Sequence, residues 1–136
     1  MVRRRAVSQE VGQLEFTMDS LFQVRDAVQE MLAGSDRELT ADVVLAVHEV
    51  AVNSVVHGGR LGVLRMWEIG DELIFQVANP RIHDAAPVLQ APTADQPSGR
   101  GLWLASHLVD DLTIEVTPDT AIVRLHLSRT RPTQSS

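Results

Sequence analysis

Three side chains set one helical turn apart are the first candidates for chemistry. Glu49, Asn53 and His57 lie in the run His48-Glu49-Val50-Ala51-Val52-Asn53-Ser54-Val55-Val56-His57, which Gly58-Gly59 follows at once. At about 100° per residue they share a sector of roughly 80°. Val43, Val47, Val50, Ala51 and Val55 hold the other side. A carboxylate among apolar neighbours costs free energy unless it is paired or used, so the stripe reads as a site. Glu49 can accept a proton. The amide oxygen of Asn53 suits a hard cation such as magnesium, which keeps waters and phosphate oxygens in its shell. A zinc protease helix is excluded by spacing, since the second histidine would fall at position 52, where Val52 stands. Taken singly, each polar residue also fits a plain role in cross-linking buried backbone.

A second feature is Gly99-Arg100-Gly101, which opens a helical pattern. Helix N-termini present free N–H groups and the positive end of the dipole, so they attract phosphate. Arg100 can add a charge-assisted contact to such an anion or stay solvated. A plain loop-to-helix turn fits the same residues. His83, His107 and His126 are scattered over loop, helix and strand and do not form a metal pattern. Trp67 and Trp103 read as core or rim residues, and Arg3-Arg4-Arg5 as a solvated terminus.

The elements that must position these residues follow from periodicity. Gln13–Met18 alternates and predicts a strand. Asp19 or Ser20 caps a helix to about Ala33, closed by Gly34, with Leu21, Val24, Val28, Met31 and Leu32 on its apolar face. Thr40 or Asp42 starts the helix that carries the stripe. Leu61–Glu68 and Glu72–Ala78 predict a hairpin turning at Gly70-Asp71. From Asn79 to Ser98 four prolines and small residues replace the pattern and predict a long loop of the kind that serves as a lid. A helix from Leu102 to about Asp110 and a hairpin, Leu112–Thr117 with Ala121–Leu127, complete the order. Antiparallel strands with helices on one face make this an α+β two-layer sandwich. The domain is expected over 12–128, with polar, flexible flanks at 1–11 and 129–136.

Composition narrows the function classes. The chain has 136 residues, no cysteine and a net charge of −6, so a disulfide framework is excluded and nucleic acid is not the expected direct partner. All twelve basic residues are arginine. A Walker-type loop or Schiff-base chemistry needs lysine, and neither is available. No uninterrupted apolar run reaches the ~18 residues of a membrane span, and no signal-peptide pattern follows the arginines, so a cytoplasmic protein with no membrane partner is expected.

In this order the two motifs resemble a known family. Glu49-x-x-x-Asn53 with His57-Gly58 is similar to the N box of the GHKL ATPases, the group of gyrase, Hsp90, histidine kinases and MutL. Gly99-Arg100-Gly101-Leu102-Trp103-Leu104 is similar to its second glycine box. The short chain most resembles the anti-sigma-factor serine/threonine kinases of the RsbW/SpoIIAB type, above all actinobacterial relatives with HE-x-x-x-NS-x-x-HGG and GRGLWL. The resemblance covers roughly 12–128 and implies a Bergerat fold that binds ATP and Mg. It implies Glu49 as the catalytic base and Asn53 as the magnesium ligand. His57, Asn79, Gly99, Arg100 and Gly101 would contribute to the nucleotide site. It also implies partner switching, in which an alternative sigma factor is sequestered or a STAS-domain anti-anti-sigma factor is bound and phosphorylated. A homodimer through the first strand and first helix belongs to the same expectation.

One departure bears on activity. The family's first glycine box carries Asp-x-Gly-x-Gly, whereas this chain has Asn79-Pro80-Arg81-Ile82-His83. Asparagine can accept a hydrogen bond from a base but without a charge to strengthen it. Two readings therefore stay open, an active protein kinase and a nucleotide-independent module that works by partner exchange. A detached histidine-kinase catalytic domain is a third.

Overall fold

The computed structural model describes residues 9–57, 61–80 and 100–129, leaving aside the side chains of Gln9, His57 and Arg100. Five strands form one antiparallel sheet: β1 (Gln9–Phe16), β2 (Gly62–Ile69), β3 (Glu72–Pro80), β4 (Asp111–Val116) and β5 (Thr120–Ser128), in the order β1-β2-β3-β5-β4. Three helices accompany it: α1 (Leu21–Met31), α2 (Arg37–His57) and α3 (Arg100–Leu108). The expected α+β sandwich is the observed architecture. β3 and β4 both run antiparallel to β5, so they are parallel to each other, and α3 lies in the crossover between them.

Alternation decides which side of the sheet the helices cover. Leu73, Phe75 and Val77 of β3 are buried, as are Val123, Leu125 and Leu127 of β5 and Leu64 and Met66 of β2. They pack with Val24 and Val28 of α1, with Leu39, Val43, Val47 and Val50 of α2, and with Leu102 and Ala105 of α3 into one core. Burying each large apolar side chain stabilises the fold by about 1.5–3 kcal/mol. The opposite face carries a row of polar partners instead. Arg65 pairs with Glu10 at 2.9 Å, Arg124 Nε donates to Gln76 Oε1 at 2.8 Å, and Arg124 pairs with Glu115 at 3.3 Å. Arg65 also lies 5.2 Å from the centre of the Trp67 ring, so this tryptophan is a platform on the open face rather than part of the core.

Several boundaries move from their sequence expectation, each for a local reason. β1 begins at Gln9 because a bulge at Val11 breaks the alternation that would reveal it. A 3-10 turn, Met18–Ser20, precedes α1, and Ser20 turns its hydroxyl back to accept the Thr17 N–H at 2.9 Å instead of capping forward. α2 starts at Arg37, not at Thr40 or Asp42. Asp36 Oδ2 accepts the Leu39 N–H at 2.9 Å, and only Leu39 of the first turn after that cap is buried, Arg37 and Glu38 being exposed. Asn79 and Pro80 belong to β3 rather than to the following loop, Pro80 pairing with Thr120 as the last rung. The rest of the expected lid, 81–98, lies outside the described residues.

Gly34 closes α1 with φ 86°, and Gly70 takes φ 59° in the β2–β3 turn, a region that favours glycine in both places. α3 ends at Leu108, and just beyond it the Asp110 carboxylate accepts the Ser128 N–H at 2.8 Å, which ties this turn to β5. The segment Arg37–Val56 is long and apolar enough to cross a membrane by length and composition, with mean hydropathy 1.5. The packing of α2 between sheet, α1 and α3 accounts for the same apolarity.

Candidate functional site

α2 brings Glu49 and Asn53 to its flank against α3. Both are half-buried, and among the described residues neither side chain makes a hydrogen bond to another. A half-buried carboxylate and amide one turn apart with their polar atoms unspent are available to a ligand. Glu49 lies directly against the first turn of α3. A Cβ built on Gly101 would stand 2.9 Å from Glu49 Oε1 and 3.4 Å from the Glu49 backbone oxygen. Glycine at 101 is therefore what lets the N-terminal turn of α3 sit on the carboxylate. The two motifs, about fifty residues apart in sequence, meet here.

The remaining predicted residues are less fully placed. His57 is the last residue of α2 and Arg100 the first of α3; their side chains are outside the described set. Gly99 and Gly58 lie outside the described residues. Asn79 is buried at 7 % exposure near the end of β3, on the helix-covered face by alternation with Phe75 and Val77. Its Nδ2 donates to the Pro80 carbonyl at 3.2 Å. Sequence reasoning overlooked Ser54, which is 7 % exposed beside Asn53 and whose Oγ has no hydrogen-bond partner among the described residues. A hydroxyl next to the stripe was the only signal that could have marked it.

Among the described residues no group of three or more histidines, cysteines or carboxylates could hold a metal ion. Asn53 and Glu49 thus offer magnesium at most two protein oxygens of different kind. That donor set fits a cation completed by phosphate and water, and does not fit a resident structural metal. The unspent carboxylate and amide, with a glycine-lined helix start beside them, match a magnesium–phosphate ligand in character.

The histidine kinase-like ATPase domain family matches residues 14–127, nearly the whole chain. The chain belongs to this family. Among solved structures, it is similar to the RsbU and RsbW domains of Rv1364c from Mycobacterium tuberculosis, at 23% identity and a TM-score of 0.63. The match covers 90% of this chain and 34% of that one, so the chain spans about a third of the length of that protein. The Acinetobacter baumannii histidine kinase AdeS is similar at 9% identity and a TM-score of 0.50, over 88% of this chain and 68% of that one. At these identities the likeness is one of fold. A search of curated proteins found no match. In this histidine kinase-like ATPase domain, the α2–α3 contact is where the two resemblance motifs converge.

Proposed function

We propose that this domain is an anti-sigma regulator that sequesters an alternative sigma factor and binds and phosphorylates a STAS-domain anti-anti-sigma factor with Mg-ATP. The observation that carries the reading is the unspent Glu49 carboxylate held against the glycine-lined start of α3, one turn from Asn53. When bound, Mg-ATP would supply the γ-phosphoryl group, with ADP leaving as its bond to the bridging oxygen breaks, and a cation to offset the charge. Glu49 takes the proton of the attacking serine or threonine hydroxyl at its carboxylate oxygen. Asn53 offers its amide oxygen to magnesium. Gly99, Arg100 and Gly101 would offer N–H groups and positive charge to the phosphates at the start of α3, and His57 would contribute from the end of α2. Asn79 would offer its amide oxygen to the adenine amino group.

A second reading rests on Asn79 itself. Its amide is neutral where the family pattern has a carboxylate, so its Oδ1 accepts from a base without a charge to strengthen the bond, while its Nδ2 donates to the Pro80 carbonyl. A neutral acceptor gives up much of the roughly 1.5–3 kcal/mol of a charged hydrogen bond. That favours a domain that regulates by partner exchange alone.

One assay separates these readings. The full-length domain is incubated with labelled Mg-ATP and a STAS-domain protein encoded in the same genome, and the product is then treated with acid. Acid-stable phosphate on the STAS protein, lost in Glu49→Gln, is the expected result. Acid-labile phosphate would point to a histidine acceptor. Absence of transfer, with STAS and sigma binding unchanged in Glu49→Gln and Asn53→Ala, would establish partner exchange and overturn the kinase.

A further inference from the structure

Among the described residues three polar side chains are buried, Ser54, Gln76 and Asn79. Gln76 has a structural role on the open face of the sheet, where its Oε1 accepts from Arg124 Nε at 2.8 Å. Ser54 and Asn79 lie on the other side, in the layer between helices and sheet. Asn79 shares the covered face of β3 with Leu73, Phe75 and Val77. Ser54 shares the core side of α2 with Val43, Val47 and Val50.

Both also fall at one end of the sheet. Arg129 follows Ser128, which pairs with Glu72 at the start of β3, and its guanidinium donates to Ser35 just before α2. α2 therefore begins beside the start of β3. Only residues 58–61 separate its last residue from β2, whose Val63 pairs with Ala78. The last turns of α2, with Ser54, thus lie where β3 finishes, with Asn79. The Ser54 Oγ has no hydrogen-bond partner among the described residues, which costs free energy unless a ligand or water supplies one.

The two groups are alike in being able to reverse their hydrogen bonds. The Asn79 amide accepts through Oδ1 and donates through Nδ2, which carries two hydrogens and gives one to the Pro80 carbonyl at 3.2 Å. The Ser54 hydroxyl donates or accepts by rotating. Purine bases differ in just this respect. Adenine presents a donor at its 6-amino group and an acceptor at N1, whereas a 6-oxopurine presents an acceptor at O6 and a donor at N1. An ionised carboxylate at position 79 could only accept, so it would match the first pattern and repel the second. A neutral amide with a hydroxyl matches both.

We infer that the base subsite of this domain takes 6-oxopurine nucleotides, of the inosine and guanosine kind, as well as adenine nucleotides. Asn79 serves position 6 of the base and Ser54 serves N1. The inference rests on the nucleotide reading proposed above and widens its substrate class.

The test is calorimetric titration of the full-length domain with Mg-ADP and Mg-IDP. Inosine diphosphate reverses position 6 and N1 without adding the 2-amino group of guanine. The expected result is that the two bind within about tenfold of each other in the wild type, and that Asn79→Asp shifts their ratio about a hundredfold toward ADP. Ser54→Ala should weaken both by about three- to tenfold, with the Tm of the ligand-free domain unchanged or raised, since the hydroxyl it removes has no partner there. Mg-IDP bound more than about tenfold more weakly than Mg-ADP by the wild type would overturn the inference and leave the nucleotide site standing. This comparison needs no variant, so it holds even where Asn79→Asp folds poorly. A ratio that Asn79→Asp leaves unchanged would overturn the inference too, and unchanged affinities in Ser54→Ala would overturn the role of Ser54. No binding of either nucleotide at millimolar concentration would overturn the nucleotide reading and the inference with it.

Discussion

Gly101→Ala isolates the contact on which the site depends, and its thermodynamic effect can be worked out without assuming catalysis. Position 101 lies in the first turn of α3 with φ outside the left-handed region, so alanine is compatible with the backbone. Replacing a helical glycine by alanine stabilises by up to about 1 kcal/mol. Against that gain, the new Cβ would stand 2.9 Å from Glu49 Oε1, and the carboxylate must swing away. The clashing atom ends a flexible side chain, so the movement costs about 0.5–1.5 kcal/mol if it forces a poor rotamer. The two effects nearly cancel, and Gly101→Ala alone should change stability by less than about 1 kcal/mol. In a Glu49→Ala background the clash is gone, leaving contacts of 3.4 and 3.6 Å, and the full propensity gain should appear. Urea denaturation of the four proteins gives a coupling energy of about 0.5–1.5 kcal/mol between the two positions. If the domain is a kinase, displacement of the base by about 1 Å should lower phosphotransfer on the order of a hundredfold with the fold intact. A coupling energy of zero would refute the placement of Glu49 against α3.

Three further outcomes follow from the packing and the charges. Asp36→Ala removes the cap of α2 and should cost about 0.5–2 kcal/mol in urea denaturation, whereas Asp42→Ala, in the interior of the same helix, does not touch the cap. Gly62→Ala places a Cβ 2.4 Å from Phe16 Cζ across the β1–β2 pair and should destabilise by about 1–3 kcal/mol, visible as a lower Tm. The Arg65 guanidinium holds the Glu10 carboxyl below its usual range, first through the hydrogen bond and also by its charge. A depressed folded-state value means that this interaction contributes above the unfolded carboxylate range and is lost as pH falls through the folded value. Carboxyl NMR titration should show Glu10 moving upward in Arg65→Gln; an unchanged midpoint would contradict the pairing.

The parts of the fold that were legible in the sequence are those where local pattern and tertiary role agree. The stripe on α2, the Gly70-Asp71 turn and the hairpin of Leu112–Thr117 with Ala121–Leu127 could be read because period and turn chemistry speak directly. β1 was hidden at its start because the Val11 bulge adds a residue and breaks alternation. The true start of α2 was hidden because Asp36 is followed by two exposed charged residues with Leu39 as the one apolar position of the turn, while Thr40 and Asp42 offered equally suitable capping side chains further on. Pro80 suggested a loop because proline lacks an N–H, yet as the last rung of β3 it only has to accept. The meeting of Glu49 with Gly101 was legible only through the family resemblance.

Calorimetry of the full-length domain with Mg-ADP and Mg-ATP tests the central claim, that the α2–α3 contact is a magnesium–nucleotide site. Micromolar binding in the wild type that disappears in Asn53→Ala, with Tm unchanged in the absence of ligand, is the predicted result. No heat of binding at millimolar nucleotide, or binding that Asn53→Ala leaves intact, would contradict it.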